Sequence, residues 1–360
     1  MLIGRSPVRI SFAGGGTDLP VYYQQFGGAV LSAAINKYFY TILGKRSDGR
    51  VQVISSDLRI FETWHDIAAT DIKVSGLEIP LAVLKDISVD LSVDLFLASE
   101  IPPGTGLGSS ASVCVNILKT LTTYLGSSLS KHDLAERAFA IARHTLGRYV
   151  GKQDEYAAAF GGLNYISFNS DGTANVNPLN LDSDLLQELQ SNLLLFFTGS
   201  SHHSWSILEE QEKSTSAYVG PTVDALHELK EYAVKMRDAL TRGELTNFGA
   251  LLDEAWQAKK RVSRRISNER IDHLYQLARK NGALGGKITG AGGGGFLLLY
   301  CEQEYQDGLR LALHREGVHE MTFAFDFHGA QVIVNDPFID HDERAGLRWS
   351  FLPVSQISAD

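Results

Sequence analysis

Three glycine-rich stretches carry the chemistry this chain can be read for: FAGGGTD at 12–18, PPGTGLGSS at 102–110 and GGKITGAGGGG at 285–295. Glycine takes positive φ at little steric cost and lets a ligand approach the main chain closely. The middle stretch follows DLFLASE, whose residues alternate like a half-buried strand. It precedes ASVCVNILKTLTTYL, where Val113, Ile117, Leu121 and Leu125 recur near a 3.6-residue period. A strand, a glycine loop and a helix start make an anion site, because unpaired N–H groups and the positive dipole end point at one spot. Phosphate is the expected guest. Neither the second nor the third stretch is a P-loop, since GxxxxGKS/T is absent, and neither is followed by the acidic residue of a dinucleotide fingerprint. A different phosphate scaffold is therefore needed. No Cys and His spacing suggests a transition metal, and the adjacent His202 and His203 cannot share one helix face.

The elements that must position these loops follow from periodicity. The first half mixes short β-branched and aromatic stretches (RISFA, YFYTILG, VQVISS, DLFLAS) with helical patterns at 110–125 and 131–146, which predicts an α/β or α+β domain. FNSDGTANVNPLNLDSD, residues 168–184, is dense in Asn, Asp, Ser and Gly and reads as the boundary between an N-terminal domain, 1–184, and a C-terminal domain, 185–360. Beyond it a strand, NLLLFFTG, leads into three helical patterns; in the first, Leu226, Leu229, Ala233, Met236 and Leu240 line one face. The third glycine stretch then runs into FLLLYC, a helix spans about 302–316, and MTFAFDF with AQVIV reads as a closing hairpin. The tail DPFIDHDERAGLRWSFLPVSQISAD has no period and receives no role.

Composition narrows the function classes. The 360 residues are 44% hydrophobic, enough for a substantial core and, by length, two domains. A net charge of −9 with Lys and Arg scattered among Asp and Glu makes no electrostatic case for nucleic acid. Cys114 and Cys301 lie in apolar runs, as buried thiols of a reducing compartment do. Arg5 and Arg9 interrupt the stretch where a signal peptide needs its apolar core, and no apolar run reaches membrane-spanning length; a cytoplasmic protein is expected.

RSPVRISFAGGGTD (5–18), PGTGLGSSA (103–111) and KITGAGGGG (287–295) resemble, in order and spacing, the three signature motifs of the GHMP kinase superfamily. Within it GGGTDLPVYYQQFGGAVLSAAINKY, GKQDEYAAAFGGLNYISF and GALGGKITGAGGGGFLLLY are most similar to sugar kinases that act on the anomeric hydroxyl of D-glycero-D-manno-heptose 7-phosphate. The resemblance implies an α+β, two-domain fold, an N-terminal α/β domain and a C-terminal ferredoxin-like domain with added helices, holding ATP and substrate in the cleft between them. It implies that Pro103, Gly104, Thr105, Gly106, Leu107, Gly108, Ser109 and Ser110 wrap the β- and γ-phosphates of ATP, with Ser55 and Ser56 on a nucleotide-side loop.

For the rest of the site the resemblance implies the following roles. Ser110 and Glu136 bind Mg²⁺, a cation suited to hard oxygen ligands. Asp154 takes the proton of the sugar hydroxyl and Arg9 neutralises it and steadies the phosphoryl group. Gly15, Gly16, Thr17 and Asp18 hold sugar hydroxyls, joined by Lys152 and Gly292. His202 stands where heptose kinases often carry an arginine for a distal phosphate; the basic residues Lys259, Lys260 and Arg264 offer replacement charge or a solvated helix face. Plainer roles stay open beside these: an N-cap for Ser110, a helix-start charge for Asp154, a cap for Asp18 on a helix starting near Leu19, a solvated charge for Glu136 and a surface lysine for Lys152. The expected partners are ATP, Mg²⁺ and a small-molecule sugar or sugar phosphate, without nucleic acid or membrane; a homodimer is left open. Other acceptors (fucose, galactose, an octose phosphate) and a non-catalytic sugar-binding regulator on the same fold are the alternatives.

Overall fold

The computed structural model describes residues 1–336 except 75, 89, 90, 200–203, 218 and 219; His202 and the tail beyond Asp336 lie outside the described residues. The first sheet is built on two long strands, β1 (Leu2–Ala13) and, after helix α1 (Pro20–Phe26), β2 (Gly28–Lys45). There follow β3 (Val51–Ser55), β4 (Ile60–Trp64), α2 (Glu78–Ile87), β5 (Val93–Ser99), α3 (Ser109–Tyr124), α4 (Lys131–Ala140), α5 (Gln153–Phe160), β6 (Leu163–Phe168) and β7 (Ala174–Pro178). Rich in Val, Ile, Phe and Tyr, β2 is long enough to serve two neighbours beyond β1: its first residues, Gly28–Ala33, pair with β6 and its last, Phe39–Lys45, with β5. Its side chains alternate between two cores, Leu31, Ala33 and Ile35 entering one and Val30, Phe39 and Leu43 the other.

The second half runs α6 (Ser183–Asn192), β8 (Leu193–Phe197), α7 (Ser204–Ser216), α8 (Gly220–Thr241), α9 (Leu245–Val262), α10 (Glu269–Lys280), β9 (Ala283–Ile288), β10 (Phe296–Cys301), α11 (Gln303–Arg315), β11 (His319–Glu320) and β12 (Gln331–Asn335). Its sheet has the order β11-β8-β10-β9, antiparallel throughout, which is the ferredoxin-like arrangement with the first crossover enlarged to four helices. The two-domain, mixed α and β fold expected from the motifs is thus present.

Three expectations change. The middle region holds four helices, α7 to α10, where three patterns were read. The helical pattern at 131–146 breaks at Ala140 into a π turn, Ile141–Thr145, closed by Leu146 N–H donating to the Ile141 carbonyl at 2.9 Å. MTFAFDF and AQVIV do not form a hairpin: QVIV belongs to β12, which crosses back to pair with β1 at the edge of the first sheet. Among the described residues no helix is long and apolar enough to cross a membrane.

Candidate active site

The stretch between β5 and α3 is moulded by its glycines. Gly104, Gly106 and Gly108 all have positive φ, and Gly108 precedes the helix in the left-handed region. Positive φ alone would tolerate Asn, but a Cβ on Gly106 would sit 2.4 Å from the Thr289 carbonyl oxygen. The reciprocal contact holds at Gly290, whose Cβ would lie 2.7 Å from the Gly106 Cα. The phosphate loop is therefore seated backbone to backbone on the third glycine stretch, which is in turn pinned where Gly295 O accepts from Thr198 N and Oγ1 at 2.9 and 2.8 Å.

Arg9 on β1 joins three elements. Its Nε and Nη2 donate to the two oxygens of Asp154 on α5, each at 2.8 Å, its Nη1 donates to Gly106 O at 2.7 Å, and its own N–H donates to Leu107 O at 2.9 Å. Such a bidentate fork fixes a carboxylate in orientation as well as in place. Asp154 keeps a side-chain exposure of 30% against 5% for Arg9, so of this pair, both of which line the cleft, the carboxylate is the more open. Ser11 Oγ donates to Gln153 Oε1 at 2.7 Å, steadying the start of α5.

Asp154 and the loop border a cavity of about 700 Å³. Gly15, Gly16 and Asp18 line it as well. Asp18 is no helix cap: its Oδ1 accepts from Gly16 N at 2.8 Å and its Oδ2 from Gln153 N at 3.2 Å, which aims it between the first motif and α5. Burial, then the nearby Asp154 charge, holds it above the usual carboxylate range. Beside it Lys259 of α9 donates to Gly15 O at 3.0 Å, and burial pulls its ammonium down to about 8. A second buried lysine, Lys287 on β9, reaches only Phe12 O at 3.3 Å and is pulled well below its ordinary value by burial and by its neighbours Lys259 and Arg9.

The other expected residues divide. Pro103, Gly104, Thr105, Gly106, Gly108, Ser109 and Ser110 line the cavity, but Leu107 is fully buried and offers only its carbonyl to Arg9. Ser110 is the second residue of α3, exposed at the loop, and does not cap it. Thr17 is fully buried, its hydroxyl donating to Ala29 O at 2.9 Å and accepting from Ala29 N at 3.0 Å, so it clamps β2 and cannot reach a sugar. Lys152 turns away from the cavity: Nζ lies 2.7 and 2.8 Å from the Glu136 oxygens and 2.6 Å from Gly172 O, over the rings of Phe139 and Tyr23. Glu136 is thereby neutralised, also accepts from Tyr156 Oη at 2.5 Å, and is not a cavity residue, contrary to its expected place beside Ser110. Gly292 does not line the cavity either; its φ of 105° lets the loop press against Ile266 while Gly290 and Ala291 face inward. Ser55 and Ser56 lie at the end of β3 outside the cavity, their hydroxyls engaged with Leu58 N and with Asp57 and Leu97 O.

Sequence reasoning missed Glu155, next to Asp154 in the same motif. It lines the cavity, and its Oε2 is buried without a hydrogen-bond partner, as is Oγ of Ser109. Among the described residues no group of three or more His, Cys, Asp or Glu side chains is placed to hold a metal ion. Hard oxygens of this kind, few in number, suit a Mg²⁺ that takes most of its shell from phosphate and water.

Comparison with known proteins agrees with this geometry. Residues 78–162 match the model of the GHMP kinases N terminal domain and residues 236–319 that of the GHMP kinases C terminal domain. A D-glycero-alpha-D-manno-heptose 7-phosphate kinase of Campylobacter jejuni is 32% identical over 331 residues, 91% of this chain and 97% of that protein. An L-fucokinase/L-fucose-1-P guanylyltransferase of Bacteroides fragilis is 27% identical over 330 residues, 83% of this chain but 34% of that longer protein. The crystal structure of a D-glycero-D-manno-heptose 1-phosphate kinase from Bacteroides thetaiotaomicron superposes with a TM-score of 0.78 at 28% identity, covering 93% of this chain and 100% of that one. With both domain models matched, and the phosphate loop, the Arg9–Asp154 fork and the third glycine stretch assembled around one cleft, this chain belongs to the GHMP kinase family.

Proposed function

We propose that the protein is an ATP-dependent kinase for the anomeric hydroxyl of a sugar phosphate, converting D-glycero-D-manno-heptose 7-phosphate to the 1,7-bisphosphate. The observation that carries the reading is the Arg9–Asp154 fork, which sets one carboxylate between the phosphate loop and the polar wall of Gly15, Gly16 and Asp18. A sugar held by Asp18 and Lys259 would present its hydroxyl to Asp154. As the hydroxyl oxygen bonds to the γ-phosphorus, its proton passes to Asp154, the bridging P–O bond to the β-phosphate breaks and ADP leaves with that electron pair. The loop N–H groups and the start of α3 stabilise the charge on the transferring group. Bound Mg²⁺ would neutralise the β- and γ-phosphates, with Ser110 placed at the loop to hold it. With both thiols free and buried, a reducing, cytoplasmic setting fits. The kinship with a fucokinase supports a second reading, in which the acceptor is a free sugar.

An ADP-release assay over a panel of sugars and sugar phosphates separates the two. Turnover of the heptose 7-phosphate with higher kcat/KM than fucose or galactose is expected; turnover of unphosphorylated sugars alone overturns the acceptor. Asp154→Asn is expected to lower kcat by about a hundredfold or more with a smaller change in KM. A variant as active as the parent shows the base to be misassigned.

A further inference from the structure

We propose that Glu209 of α7 selects the acceptor, its carboxylate accepting hydrogen bonds from hydroxyls of the sugar that lie away from the reacting one. The inference rests on the reading that a sugar binds in this cavity beside Asp18. Glu209 belongs to none of the three glycine-rich motifs; the setting of α7 brings it to the site. Ile207, Gln211 and Thr215, each one turn after the last, are buried and form the stripe by which the helix faces the body of the molecule. Three anchors then fix its rotation. Gln211 Nε2 donates to Gly16 O at 3.4 Å, so the helix lies on the first glycine stretch, where a Cβ at Gly16 would meet that Nε2 at 2.3 Å. Glu210 accepts from Ser263 Oγ, at the end of α9, at 2.7 Å. Glu212 accepts from both Nη groups of Arg143, in the π turn, at 2.8 and 2.5 Å. Residues 210, 211 and 212 are thus committed to three different elements, and Leu208 and Glu209, immediately before them, line the cavity.

The carboxylate is open to a ligand. Leu208 packs against the core, whereas the Glu209 side chain keeps 29% exposure and pairs at 2.8 Å with Lys213, one turn along the same helix and itself 68% exposed. An exposed pair of this kind holds its carboxylate weakly. An ionised carboxylate has about four acceptor positions, so a single ammonium donor leaves room for more. Neighbouring hydroxyls of a sugar are donors that match two such oxygens. A phosphate brings charge of the same sign and is disfavoured there. Lys259, the buried cation that donates to Gly15 O, lines the same cavity, so the acid and the cation together orient a sugar phosphate, with hydroxyls toward α7 and phosphate toward α9.

KM for D-glycero-D-manno-heptose 7-phosphate and KM for ATP, measured separately by ADP release on the parent and three variants, test the assignment. Glu209→Ala is expected to raise KM for the sugar phosphate about tenfold or more, as the loss of hydrogen bonds to a charged group does, while KM for ATP stays at the parental value. Glu209→Gln, which keeps one acceptor oxygen, is expected to fall between the two. Lys213→Met removes the ion pair but keeps the carboxylate, and is expected to leave both constants parental; this separates contact with the sugar from support of the helix. A parental sugar KM in E209A overturns the assignment, as does a K213M protein impaired as much as E209A, or an equal rise in KM for ATP. A parent that does not turn over the heptose 7-phosphate overturns instead the acceptor reading on which the inference stands.

Discussion

Lys259 is pulled down to about 8 from an ordinary 10.5 because it is wholly buried, and Asp18 offsets only part of that. Two consequences follow with opposite signs. Below pH 8 the folded chain carries a charge that burial disfavours; between about 8 and 10.5 the unfolded chain still binds a proton the folded one has released, so stability rises with pH across that window. Lys259→Met is accordingly expected to raise the unfolding free energy near pH 7, by on the order of 3 kcal/mol. If the same charge meets the phosphorylated sugar, as the proposed function has it, KM for that substrate is expected to rise above pH 8 in the parent and to be high and flat in K259M; a flat parental profile overturns the role. At this scale the motifs reveal the paired Arg9 and Asp154, but not which way their neighbours face. Thr17 and Lys152 are polar residues in the right motifs, yet Ala29 claims the first and Glu136 the second, through partners that no local pattern announces. Glu155 was legible as a letter beside Asp154; only the packing of α3 against α5 buries its Oε2 without a hydrogen-bond partner.

At the scale of elements, the phosphate loop depends on space as much as on backbone angle. Gly106 and Gly126 have similar positive φ, 80° and 73°, but a Cβ meets Thr289 O at 2.4 Å in the first and nothing within 4 Å in the second. Gly126→Ala is expected to cost about 1 kcal/mol of strain and leave KM for ATP alone. Gly106→Ala must move the loop, with a stability loss of about 1–3 kcal/mol and KM for ATP raised roughly tenfold. Equal kinetic effects in the two variants would remove the steric argument. Strands and helices around this loop are readable from their periods because each buries one face. The partner of a strand is not: AQVIV alternates as any edge strand does, and its neighbour β1 begins at Leu2, at the other end of the chain. The π turn at Ile141–Thr145 was hidden for a related reason, since one extra residue in a turn scarcely disturbs an apolar period.

Over the whole molecule, one core runs through both sheets. Val8, Ile10 and Phe12 of β1 belong to the same apolar cluster as Phe248 and Trp256 of α9 and Leu297 of β10, with the Phe12 and Phe248 rings edge to face at 5.3 Å. Chains of two domains commonly unfold in steps. Here the shared core predicts a single calorimetric transition, which Phe248→Ala shifts as a whole by about 3–5 kcal/mol. Two resolved transitions in the parent would show that the halves are energetically separate.

The seam at Gly106 and Gly290 also governs traffic through the cleft. A hinge that swung the two domains apart at this point would pull the phosphate loop off the backbone that shapes it. The seam therefore favours exchange of nucleotide and sugar through the mouth of the cleft over separation of the two domains.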